Sequence, residues 1–71
     1  MKTIQINNSS RVSALQYDEW KQELIITYKR GGDYKYFNVP ESEYISLIQA
    51  ESVGKFINQN IKPKYAFIKL G

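Results

Sequence analysis

The chain has 71 residues, a net charge of +3, no cysteine and no histidine. A chain this short holds one domain around one core, covering 1–71, and buries only about 60% of the surface its unfolded form exposes. The missing residue types exclude a disulfide framework, thiol or imidazole catalysis and the usual structural zinc sites.

Ile4 and Ile6 alternate with Thr3 and Gln5, which predicts a short edge strand, and Asn7-Asn8-Ser9-Ser10 predicts the turn after it. Val12 to Tyr17 is a second strand, closed by Asp18-Glu19 and a turn through Trp20-Lys21-Gln22. Glu23 to Arg30 is a third, rich in β-branched and aromatic residues. Gly31-Gly32 supplies the positive φ angles of a tight hairpin into Tyr34-Lys35-Tyr36-Phe37-Asn38-Val39. The loop length sets which face each side chain takes. A two-residue loop places Tyr34 and Tyr36 with Ile25 and Thr27, whereas a three-residue loop with a bulge places them with Leu24, Ile26 and Tyr28.

Pro40 stops that strand and suits a first helical position, with Glu41 and Glu43 in the turn where the helix dipole favours acids. Tyr44, Leu47 and Ile48 form an apolar stripe at helical spacing. Ser52 is a fresh N-cap, and Val53, Phe56, Ile57 and Ile61 repeat the stripe in a second helix that ends at Lys62-Pro63. The tail from Tyr65 to Leu70 is apolar enough to return to the sheet. The expected fold class is α+β: a small antiparallel sheet built on a β-hairpin, two consecutive helices on one face, and a C-terminal strand or extended tail.

Charge is uneven along the chain. Residues 1–51 hold six Lys/Arg and seven Asp/Glu, whereas residues 52–71 hold Lys55, Lys62, Lys64 and Lys69 and no acid. Such asymmetry suits an anionic partner. The carboxylates fall at turns, strand ends and a helix start, where solvated acids ordinarily sit, so no catalytic residue, metal site or cofactor is expected.

Aromatic residues make up 14% of the chain, and Tyr28-Lys29-Arg30 and Tyr34-Lys35-Tyr36 interleave rings with cations. Rings stack on bases while cations meet phosphates, so Tyr34 and Tyr36 are candidate stacking residues and Lys35, Lys55, Lys62 and Lys64 candidate phosphate contacts. Ser52-Val53-Gly54-Lys55 adds a helix start with free N–H groups, in which Gly54 serves either a ligand's approach or close packing between the helices.

Taken in order, Ser10-x-Val12, Leu15-Gln16-Tyr17-Asp18, Tyr28-x-x-Gly31-Gly32-x-Tyr34-x-Tyr36, Val39-Pro40, Ala50-x-Ser52-x-Gly54-Lys55-Phe56-x-Asn58, Ile61 and Tyr65 resemble the KTSC domain. That family is named for its place at the C-terminus of some lysyl-tRNA synthetases and also occurs as single-domain proteins of bacteria and their phages. The resemblance spans residues 10 to about 67 and leaves 1–9 as an extension, suited to an extra strand or an oligomer contact. It departs from the family pattern at Val53, where a basic residue is common, and at Gln16, where glycine is expected.

The resemblance implies the fold more than a role: the family has no established biochemical function, and its tRNA-synthetase context suggests RNA as a partner. The leading expectation is a non-catalytic module for nucleic acid or a nucleotide-like anion, contacted by Tyr34, Lys35, Tyr36, Ser52, Gly54, Lys55, Asn58, Lys62 and Lys64. The alternative is a small self-associating or inhibitor protein, of phage origin, that acts on a host factor or sequesters a nucleotide signal. No apolar run approaches the roughly 18 residues of a membrane span and no signal-peptide stretch is present, so a cytoplasmic protein without membrane contact is expected.

Overall fold

A computed structural model describes residues 2–7 and 9–71, so Met1 and Asn8, the latter in the expected first turn, lie outside the described residues. The strands are β1 (Lys2–Gln5), β2 (Val12–Asp18), β3 (Glu23–Tyr28), β4 (Gly32–Tyr36) and β5 (Phe67–Lys69). Between β4 and β5 come α1 (Glu41–Ile48) and α2 (Val53–Phe56), the latter running into a π-helical turn at Ile57–Ile61. All neighbouring strands are antiparallel, in the order β1-β2-β3-β4-β5.

Local chemistry shapes each turn. The Ser9 hydroxyl accepts from the N–H groups of Arg11 (3.2 Å) and Val12 (3.1 Å), and the Asp18 carboxylate accepts from those of Trp20 (3.0 Å) and Lys21 (3.2 Å). A register shift between Val12 and Ala14 turns Val12 back into the core.

The hairpin takes the three-residue alternative. Tyr28 pairs with Gly32, Ile26 with Tyr34 and Leu24 with Tyr36, leaving Lys29, Arg30 and Gly31 as the loop. Gly31 and Gly32 both have positive φ, at 119° and 82°. Tyr34 and Tyr36 therefore lie on the Leu24–Ile26–Tyr28 face, which is the face under the helices.

That inner face packs Leu15, Tyr17, Leu24, Ile26 and Tyr36 against Val39, Leu47, Val53, Ile57 and Ile61, all buried. The Tyr17 hydroxyl donates to the Val39 carbonyl at 2.6 Å and its ring stacks on Tyr44, with centroids 4.5 Å apart, fixing the entry to α1. The expected stripe on α1 is narrower than its spacing suggests. Leu47 is buried and Tyr44 is half-buried, but Ile48 is 38% exposed, because only part of α1 reaches the sheet. At the end of the second helix Lys62 N–H donates to Ile57 O, five residues back, so the expected α-helix finishes as a wider π-turn.

The helical layer is smaller than the sheet beneath it. Phe67, on the edge strand β5, pairs with Tyr36 yet stays 49% exposed, so the inner face is left open along its β4–β5 shoulder.

Candidate functional site

On that open shoulder lies a cleft of about 370 Å³, lined by Tyr28, Arg30, Gly31, Tyr34, Tyr36, Lys62 and Phe67. The sheet, the β3–β4 loop and the end of the helical layer build it. β3 and β4 contribute Tyr28 and Tyr34, whose rings meet edge to face with centroids 5.4 Å apart. β5 contributes Phe67, whose ring centroid lies 5.7 Å from that of Tyr34 and 5.3 Å from that of Tyr36. The hairpin loop sends Arg30 to one side, and the residue after the π-turn places the Lys62 ammonium 5.8 Å from the Tyr28 ring centre. Lys69 holds its ammonium 6.0 Å from the Tyr34 ring centre.

The side chains lining the cleft make it positive. Among the described residues no Asp or Glu lines it, and neither Arg30 nor Lys62 joins the two ion pairs found, Lys35–Glu23 and Lys64–Glu43. The Tyr28 hydroxyl is buried with no hydrogen-bond partner. Burial first, then the nearby Tyr36 and Tyr34 phenols, push its pKa far above the ordinary phenol value of 10.

The expected contact residues divide among four places. Tyr34 and Lys62 belong to the cleft. Tyr36 is only 1% exposed and forms part of its floor, so it is a core residue with no face free for stacking; the three-residue loop is the reason. Lys35 projects from the opposite sheet face, 3.4 Å from the Glu23 carboxylate. Lys64 lies two residues from Lys62 but turns away, 3.5 Å from Glu43.

Ser52, Gly54, Lys55 and Asn58 do come together, in a depression of about 490 Å³ shared with Ser9, Ser10 and Arg11. There the Ser52 hydroxyl caps α2 by accepting from Lys55 N–H at 3.3 Å. Gly54 is not a close-packing point, because a Cβ built on it meets nothing within 4 Å. Tyr28, Arg30 and Phe67 were not among the expected contacts. The cation–ring alternation at Tyr28-Lys29-Arg30 was the only signal for the first two, and Phe67 depends on the β4–β5 pairing, of which the apolar tail signals the strand but not its partner.

A second hollow, of about 300 Å³, lies across the molecule and carries the opposite charge. It is lined by Ile4, Tyr17, Asp18, Glu19, Trp20, Glu41 and Tyr44. Burial and then the charges of Glu41, Glu19 and Asp18 raise the Tyr17 pKa. Burial likewise raises the pKa values of Tyr36, Tyr44 and Tyr65.

The sequence profile of the KTSC domain matches residues 8–65. The chain belongs to the KTSC domain family. The matched segment begins just before the motif residues that carry the resemblance and ends at Tyr65. The chain is 36% identical over 62 residues to a protein of Tsukamurella paurometabola, covering 87% of this chain and 92% of that one. A lysine–tRNA ligase of Nostoc punctiforme matches at 36% identity over 61 residues, which is 86% of this chain but 11% of the ligase. The crystal structure of a KTSC domain protein from Yersinia pestis superposes with a TM-score of 0.93 at 31% identity, covering 99% of this chain and 97% of that one. Among the described residues, no helix is long and apolar enough to cross a membrane.

Proposed function

We propose that this KTSC domain is a non-catalytic binding module for nucleic acid or a nucleotide-like anion, and that contact is made at the Tyr28–Tyr34–Phe67 cleft. The observation that carries this reading is the pair of cations, Arg30 and Lys62, which flank aromatic rings and lack carboxylate partners among the described residues. Rings offer stacking surfaces and flanking cations offer phosphate contacts, the combination that single-stranded nucleic-acid sites use. The presence of a similar segment in a protein named lysine–tRNA ligase supports an RNA partner.

The test is a fluorescence-anisotropy titration of a short single-stranded RNA at several salt concentrations. Each neutralised phosphate contributes roughly 0.7 to the log–log salt slope, so two cations predict a slope near 1.4 and weak binding at physiological salt. Arg30→Glu and Lys62→Glu each lower affinity, while Lys21→Glu, in the exposed turn before β3, leaves it unchanged. Binding that ignores both salt and these reversals would refute the reading.

Self-association is the second reading. One observation favours it: Trp20 is 89% exposed beside the acidic hollow, opposite in charge to the ring-lined cleft. A concentration series by analytical ultracentrifugation tests it, and a strictly monomeric protein up to millimolar concentration removes it.

A further inference from the structure

We infer that the cleft admits one unpaired nucleobase, stacked on Phe67 and Tyr34, so that the ligand is a single strand, a strand terminus or a mononucleotide rather than a duplex or a bare polyphosphate. This rests on the binding function proposed above and narrows its ligand class. Three features of the cleft carry it.

The first is size. At about 370 Å³ the cleft sits at the small end of ligand sites, which run from about 300 to 1,000 Å³. It has room for one nucleotide unit. A paired base is stacked between its neighbours and cannot be inserted between protein side chains, so a duplex reaches only the rim.

The second is the wall chemistry. Phe67 has no polar atom and is 49% exposed on an edge strand, a flat apolar surface that a phosphate gains nothing by covering. The Tyr34 ring is tilted 54° to it at 5.7 Å, so the two rings form an angled wall rather than a closed stack, and the half-exposed Phe67 ring is the part of that wall open to a third ring. The third is the arrangement of charge. Arg30 from the β3–β4 loop and Lys62 from the helical layer stand at the rim, where a phosphate attached to a stacked nucleoside would meet them.

The experiment is a competition series on the intact protein against a labelled single-stranded RNA, with a nucleoside monophosphate mixture, a blunt RNA duplex and inorganic tripolyphosphate as competitors. Monophosphates and unlabelled single strand compete, and duplex and tripolyphosphate are at least about tenfold weaker per phosphate. Phe67→Ala lowers single-strand affinity by about 5- to 150-fold, the range for losing one base–aromatic stack, and leaves tripolyphosphate binding unchanged. Its exposed position keeps the fold intact, which a thermal melt confirms. Tyr34→Leu, which keeps an apolar side chain but no ring, gives the same selective loss.

Duplex or tripolyphosphate binding as tight as single strand would overturn the inference and leave the anion-binding function standing. So would a single-strand affinity indifferent to Phe67→Ala and Tyr34→Leu. Absence of binding to every anionic probe would overturn both.

Discussion

Replacing Tyr36 by alanine removes the largest of the fully buried side chains, one that is 1% exposed and packs its ring against Phe67 with centroids 5.3 Å apart. Truncating a buried Phe or Trp to alanine costs about 3–5 kcal/mol, and a buried tyrosine ring belongs in that range. A single core in a domain of this size supplies only about 3–5 kcal/mol in total. Tyr36→Ala is therefore expected to be largely unfolded in water at room temperature.

Its neighbour on β4 provides the control. Lys35 faces the other way and is tied only to Glu23, at 3.4 Å, in a partly exposed pair of a kind worth about 0–1 kcal/mol. Lys35→Ala keeps a cooperative transition with its midpoint shifted by no more than that. Urea melts followed by circular dichroism compare the two. A Tyr36→Ala protein that unfolds near the wild-type midpoint would show that the tyrosine is not in the core, and with it the three-residue hairpin loop and the inward face of β4 would fall.

Gly54→Ala is expected to be neutral or to stabilise by up to about 1 kcal/mol, since the added methyl meets open space within a helix; a loss of more than 1 kcal/mol in the same melts would contradict that. Gly32→Ala costs about 1–2 kcal/mol for its positive φ of 82°, and its Cβ would also run into the Gly71 carbonyl oxygen; an unchanged thermal midpoint would refute the hairpin geometry. Burial raises the phenol pKa values of Tyr17, Tyr28, Tyr36, Tyr44 and Tyr65 above 10. Above pH 10 the unfolded chain thus holds fewer protons than the folded one, so these groups leave stability flat below that pH and lower it above. Phenolate absorbance is expected to rise together with alkaline unfolding, and a simple titration of every tyrosine near 10 with the fold intact would contradict this.

The strand and helix segments were legible because their signals are local. Alternation marks β2 and β3, Pro40 with Glu41 and Glu43 marks the start of α1, and Ser52 marks that of α2. The hairpin register was not. Gly31-Gly32 looks like a two-residue turn, which would set Tyr28 opposite Lys35, but Tyr28 pairs with Gly32, and this odd shift in register moves Tyr34 and Tyr36 to the other face. The candidate site was legible only in part for a related reason. Lys62 and Lys64 are equivalent as sequence, yet the chain around Pro63 aims one at the Tyr28 ring and the other at Glu43. Phe67 pairs with Tyr36 and reaches the Tyr34 ring through a strand pairing that spans the whole helical layer; the apolar tail announces the strand but not its partner.

Amide chemical-shift mapping on the isotopically labelled protein, titrated with a short single-stranded RNA, locates the anionic ligand on the molecule. Saturable shifts concentrated at Tyr28, Arg30, Gly31, Tyr34, Lys62 and Phe67 are expected. Shifts confined to the Ser52–Asn58 depression or to the acidic hollow around Trp20, or none at all, would contradict binding at the cleft.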